Sequence, residues 1–104
     1  MPKPFVHLHL HTQYSLLDGA IRMSDLCTKV KARGMKAVAM TDHGNMFGAI
    51  QFYQSAKDHG VKPIFGCEAY LADGDAPAKS DRKNYHIVLL AKNAAWKGNM
   101  FALI

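Results

Sequence analysis

Cysteine is scarce in this chain. Cys27 and Cys67 stand far apart, and neither belongs to a C-x-x-C pair. That excludes a zinc knuckle and a disulfide framework, suits a reducing cytosol, and leaves both residues to be read as small buried hydrophobes. No apolar run reaches the length of a membrane span, and none follows Met1-Pro2-Lys3-Pro4 as a secretory leader requires. Internal repeats, low-complexity tracts and linkers are also lacking. Acidic residues are few, 8 against 13 Lys+Arg, giving a net charge of +5. The excess is compatible with a polyanionic partner, but Lys29, Lys31, Arg33 and Lys36 are dispersed like a solvated helix face, so charge alone marks no binding patch. At 49% hydrophobic and 20% charged over 104 residues, the expectation is one small globular, cytoplasmic domain with no membrane partner.

What the chain does have is histidine in a pattern. In Phe5-Val6-His7-Leu8-His9-Leu10-His11-Thr12, apolar and histidine residues alternate strictly, the period of a β-strand. His7, His9 and His11 would then share one face, about 6.6 Å apart at a rise of about 3.3 Å per residue. Stacked imidazoles at that spacing suit one metal ion or two adjacent ones, and otherwise form an exposed polar strand face. Downstream, Asp18-Gly19 marks a turn. Met23, Leu26, Cys27 and Val30 form a helical stripe, with Ser24 as N-cap and Gly34 just past the end.

Ala37-Val38-Ala39-Met40 reads as a buried parallel strand ending in Thr41-Asp42-His43-Gly44. A second helix spans about Met46 to His59, with Met46, Ile50, Tyr53 and Lys57 along one side, Ala49, Phe52 and Ala56 beside them, and Gly60 closing it. A third strand covers Ile64 to Tyr70, with Pro63 at its first edge. A polar loop follows from Ala72 to Asn84, then a fourth apolar run, Ile87 to Ala91, after Tyr85-His86. Lys92 to Ile104 could start another helix. The order β-α-β-α-β-β is α/β, the start of a sheet or barrel with about four strands, where a closed eight-stranded barrel takes about 250 residues. A barrel cut there exposes a sheet edge.

In parallel α/β folds, chemistry collects at the carboxyl ends of the strands. Three strands each deliver metal-ligand types at that end: His9, His11 and Asp18 from the first, Asp42 and His43 from the second, Glu68 from the third. Asp18 reads equally as ligand or turn residue. Asp42 reads as a ligand, or as a carboxylate orienting a metal-bound histidine, ahead of a plain helix cap. Glu68 has the weakest structural alternative, because an unpaired buried carboxylate is expensive. His86 reads by position as a strand-edge histidine, His7 as lying beneath the site, and His59 as a partner of its helix dipole. Mixed imidazole and carboxylate ligands suit zinc, manganese or iron better than magnesium alone. Two or more such ions would activate a bridging water for in-line phosphoryl displacement, with Asp42 or Glu68 bridging ions or accepting the proton.

These motifs resemble a known family. His9-Leu10-His11-Thr12, Ser15-Leu16-Leu17-Asp18-Gly19, Thr41-Asp42-His43-Gly44 and Gly66-Cys67-Glu68 are similar to the successive motifs of the PHP (polymerase and histidinol phosphatase) domain. Within it, His7 to Gly19, Asn45 to Ala49, Lys62 to Glu68 and His86 to Asn93 resemble the opening of the bacterial replicative DNA polymerase III alpha family. The likeness covers residues 4–93 and diverges over 94–104. It implies the N-terminal part of a (β/α)7 barrel, truncated here after about four strands, with up to three divalent ions, zinc or manganese first, at its mouth. His9, His11, Asp18, His43, Glu68 and His86 match its ligand positions, and Asp42 a motif residue beside them. The resemblance further implies phosphoester hydrolysis of 3′–5′ exonuclease or pyrophosphatase type, or an inert scaffold docking a proofreading subunit. For the longer protein it implies DNA, deoxynucleotides and a sliding clamp as partners, and magnesium at a polymerase site beyond this segment. A free-standing phosphatase and an amidohydrolase, whose barrel also opens with His-x-His, are the rival readings.

Overall fold

The computed structural model describes residues 4–16, 18–72, 84–95 and 98. The expected loop from Ala72 to Asn84 and the expected helix after Lys92 lie largely outside them. The described elements are α1 (Met23–Ala32), β1 (Ala37–His43), α2 (Ala49–His59), β2 (Lys62–Ala72) and β3 (Asn84–Leu90). β2 is central: it runs parallel to β1 and antiparallel to β3.

α1 buries the stripe expected of it, Met23, Leu26, Cys27 and Val30. It starts two residues earlier than the Ser24 cap predicts. Arg22 is the N-cap and makes no side-chain cap; instead Gln13 Oε1 accepts the Met23 N–H at 2.9 Å, so a distant amide satisfies one of the helix's unpaired donors. The far end is as expected. Gly34 takes a left-handed φ of +75, and the N–H groups of Gly34 and Met35 bond back to the carbonyls of Lys31 and Val30, a Schellman closure. In α2 the buried row is Ala49, Phe52 and Ala56, while Ile50 and Tyr53 are exposed, so the helix is turned away from the other row.

Residue alternation gives the sheet two distinct faces. Val38, Met40 and Cys67 point to the helices and join Phe52, Leu26 and their neighbours in the core, with Phe65 and Leu89 packed beside them. The opposite face carries the register partners His43 and Glu68, then Tyr70 opposite His86. Pro63 stands second in β2, beyond the reach of the β3 ladder, which begins at Gly66.

The segment expected as a first strand is not one. It lies along β1, but Ala39 N–H bonds to the His7 carbonyl and Thr41 N–H to the Leu10 carbonyl. Three residues of the segment thus span two of β1. The Leu10 N–H turns to Thr41 Oγ1 at 2.8 Å. An extra residue of this kind breaks the ladder and reverses the alternation. His7 and Leu10, opposite in a regular strand, consequently line the same cavity of about 390 Å³ against α1. Among the described residues no helix is long and apolar enough to cross a membrane.

Candidate metal centre

The turn after His11 is built by side chains as much as by backbone. Ser15 and Gly19 N–H groups bond to the Thr12 and Ser15 carbonyls, and Asp18 N–H to that of Ser15. Ser15, fully buried, donates its hydroxyl to Asp18 Oδ1 at 2.5 Å and accepts the His43 backbone N–H at 3.0 Å. One hydroxyl therefore sets the positions of an acid and a histidine from different segments. Sequence reasoning overlooked Ser15; its signal was the spacing Ser-x-x-Asp, in which a hydroxyl reaches the residue three further on.

Those restraints bring His11, Asp18, His43 and Glu68 together, with one ligand atom of each within 4.8 Å of all the others. Glu68, almost wholly buried, is the hub. Its Oε2 lies 2.5 Å from His11 Nε2, 3.2 Å from His9 Nε2 and 3.8 Å from His43 Nε2, and its Oε1 lies 3.5 Å from His86 Nδ1. Asp18 Oδ2 faces the other nitrogens, His43 Nδ1 at 2.7 Å and His11 Nδ1 at 3.2 Å. His11 and His43 thus sit between two carboxylates, while His9 and His86, with half-exposed side chains, flank Glu68 from outside. Asp18 serves as both turn residue and carboxylate of the cluster, so its two sequence readings do not compete.

The electrostatics follow from the same contacts. Burial pushes the Glu68 carboxyl up, but hydrogen bonds from His9 and His11 and the charge of His43 outweigh it and hold the group below the usual range. Asp18 is also lowered, first by the Ser15 hydroxyl and then by His43.

Asp42 is elsewhere. As the neighbour of His43 on a strand, it projects from the helix-covered face. It is fully buried, and both oxygens are taken by Thr12, the N–H at 2.5 Å and the hydroxyl at 2.6 Å. The bridging or proton-accepting place expected for it is not where its carboxylate lies. It fixes the turn immediately after His11. His7 stands edge-on to Phe5 and faces the α1 cavity rather than the floor of the cluster. His59 bonds the Ser55 carbonyl at 2.8 Å and Thr28 Oγ1 at 3.1 Å, so it ties the end of α2 to α1.

The donor set can be tested for a cation. His43 Nε2 is a buried side-chain nitrogen with no hydrogen-bond partner. Two atoms that each lie about 2.1 Å from one ion are at most about 4.2 Å apart. Its 3.8 Å from Glu68 Oε2 is too long for a hydrogen bond and within that limit. The residues fit a divalent metal.

A PHP domain profile matches residues 7–104. The chain belongs to the PHP domain family. PHP-domain relatives include the DNA polymerase III alpha subunits of Helicobacter pylori, 52% identical over 97% of this chain and 8% of that protein, and Campylobacter jejuni, 54% identical over 95% and 8%. The alpha subunit of Aquifex aeolicus is 48% identical over 99% of this chain and 10% of its own length. The chain therefore spans a tenth or less of these relatives. A Bifidobacterium adolescentis protein provisionally assigned as a metal-dependent phosphoesterase superposes with a TM-score of 0.69 at 20% identity, over 97% of this chain and 33% of that one. An amidohydrolase from Chromobacterium violaceum, solved with sulfate and no metal, gives 0.64 at 24% over 93% and 31%. At such identities these two show the shared α/β fold alone.

Proposed function

We propose that this chain is a PHP-domain segment of a bacterial DNA polymerase III alpha subunit, and that its cluster is part of a metal site for phosphoester hydrolysis. The polymerase reading is supported by about half-identity to those subunits over nearly the whole chain. A full-length gene much longer than the about 250 residues of one barrel would favour it over a free-standing phosphatase. In the whole protein the partners would be DNA, deoxynucleotides, the sliding clamp and a proofreading subunit, in the cytoplasm, with magnesium serving a separate polymerase site.

The hydrolytic reading rests above all on the orphaned His43 Nε2 facing Glu68. His11, Asp18, His43 and Glu68 would hold zinc or manganese, with His9 and His86 placed to hold a neighbouring ion across Glu68. The ions would supply Lewis acidity and a water made acidic enough to attack near neutral pH. The protein's own contribution is positional. Glu68, kept ionised by its histidines, would serve as a ligand or receive a proton. Asp18 fixes the attitudes of His11 and His43. Asp42 acts through Thr12, as a positioning residue.

Metal analysis of wild type against the double variant His11→Ala, Glu68→Ala tests the site. Wild type should retain zinc or manganese after dialysis and the variant should lose it; equal content in both would remove the proposal. The same pair built into the full subunit, assayed for 3′–5′ degradation of an end-labelled oligonucleotide, tests the chemistry. Retained metal without degradation in wild type would favour a docking scaffold.

A further inference from the structure

Tyr70 lies two residues beyond Glu68 on β2 and so projects from the same face of the sheet. The β3 register sets it opposite His86. Its ring stacks on His43, with centroids 5.0 Å apart and planes 9° from parallel, and meets His86 edge-on at 5.2 Å and 82°. The stack continues inward from His43 to His11 at 5.4 Å and 27°, and His86 stands edge-on to His43 at 4.4 Å. Room for the outer ring comes from Gly44. That residue has φ +66, and a Cβ there would lie 3.3 Å from Tyr70 Cε2. For a large aromatic left 54% exposed, burial is only a partial account of its placement. Its position against two imidazoles calls for another account.

His43 has one short side-chain polar contact, Nδ1 to Asp18 Oδ2 at 2.7 Å. One hydrogen bond at one corner of the ring does not by itself fix the Cβ–Cγ torsion, because torsions of this type have broad minima, so the plane is set by the rings around it, His11 and His86 and, as the closest to parallel, Tyr70. A flat surface laid parallel to the imidazole removes that freedom and decides where Nε2 points. We infer that Tyr70 is a positioning residue: its ring holds the plane of His43 so that Nε2 faces Glu68. What Nε2 is held for rests on the metal reading above; the restraint itself belongs to the metal-free protein.

The test compares wild type with Tyr70→Phe, Tyr70→Leu and Tyr70→Ala in the full chain, by two measurements. One is the ring 1H and 15N resonances of His43 in metal-free protein. The other is the apparent affinity for zinc, by competition with a chromophoric chelator. Tyr70→Phe keeps the stacked face and should match wild type in both. Tyr70→Leu keeps much of the volume without a plane. It should broaden the His43 ring resonances while the backbone spectrum stays dispersed, and weaken zinc about tenfold, the scale seen when a group orienting a metal-bound imidazole is removed. Tyr70→Ala should do the same or more, and Tyr70→Leu stands in for it if it fails to fold. Unchanged His43 resonances and zinc affinity in Tyr70→Leu would overturn the inference. Equal losses in Tyr70→Phe and Tyr70→Leu would overturn it too, by tracing the effect to the hydroxyl. If wild type itself takes up no zinc, the metal reading fails, and the His43 resonances of the metal-free variants still decide the part played by Tyr70.

Discussion

Ser15 is hydrogen-bonded to both Asp18 and the His43 backbone from a fully buried position. Ser15→Ala would strand the His43 N–H and loosen Asp18. An unsatisfied buried donor costs about 1–3 kcal/mol, and urea unfolding should read a loss of that size together with weaker metal uptake. Asp42 allows a sharper contrast. If it accepts a proton in the reaction, Asp42→Asn should abolish hydrolysis and leave stability intact. Because both its oxygens are engaged by Thr12, the expected outcome is the reverse: a stability loss of about 1.5–3 kcal/mol, the range for hydrogen bonds to a charged group, with zinc still bound. At the same scale lies the pH dependence. Asp18 and Glu68 are both held below their ordinary values, so their contribution is complete above the unfolded carboxyl pKa of about 4 and is lost as pH falls through the lower folded values. The thermal midpoint of the metal-free chain should therefore drop on acidification from pH 5 to 3, and drop less steeply in Glu68→Gln. A midpoint that climbs over that interval would contradict the assignment.

The two rows of α2 make a prediction at the level of the element. Phe52 is fully buried and meets Phe65 edge-on at 5.5 Å, whereas Ile50 is 79% exposed. Phe52→Ala should cost about 3–5 kcal/mol, a large share of the stability of a small domain. Ile50→Ala should stay within about 0.5 kcal/mol. Urea midpoints of the two variants check the orientation of the helix, and comparable losses would mean that it is rotated. The same helix shows why some elements are legible in a sequence and others are not. α1 carries one apolar row, so periodicity alone identifies its buried side. α2 carries two, and the core chooses between them through contacts with β2 that no local pattern encodes. The N-terminal segment alternates perfectly on paper, yet its pairing slips by one residue, because the Leu10 N–H finds the Thr41 hydroxyl in place of a backbone partner. The direction of β3 was likewise illegible, since strand polarity is set by the connection and by the neighbour. The gathering of His11, Asp18, His43 and Glu68 was legible because each is a ligand-type residue late in, or just beyond, a run with strand character, and those positions meet on one side of the sheet. That Asp42 faces the helices follows from the strand period, which puts Thr41 and His43 on one face and Asp42 on the other.

Across the whole molecule, the cluster and the core lie on opposite faces of one thin sheet, so ligation on one side is coupled to opening on the other. Cys27 on α1 and Cys67 on β2 are both essentially inaccessible, and burial raises the Cys67 thiol above its ordinary value. Neither can reach a thiolate-selective reagent until the helices leave the sheet, and in a small domain that unfolds as one cooperative unit the same event undoes the β1–β2 pairing that sets His43 beside Glu68. A ligand that binds only the folded form stabilises it by about 2.7 kcal/mol at one hundred times its dissociation constant. When closing is fast relative to labelling, the modification rate follows the open population. Manganese at that concentration should therefore slow iodoacetamide labelling of both cysteines about 100-fold in wild type, and should have no effect in the double variant His11→Ala, Glu68→Ala. Labelling of Cys67 that ignores manganese in wild type, while Mn2+ is demonstrably bound, would show that the metal face and the helix face open independently.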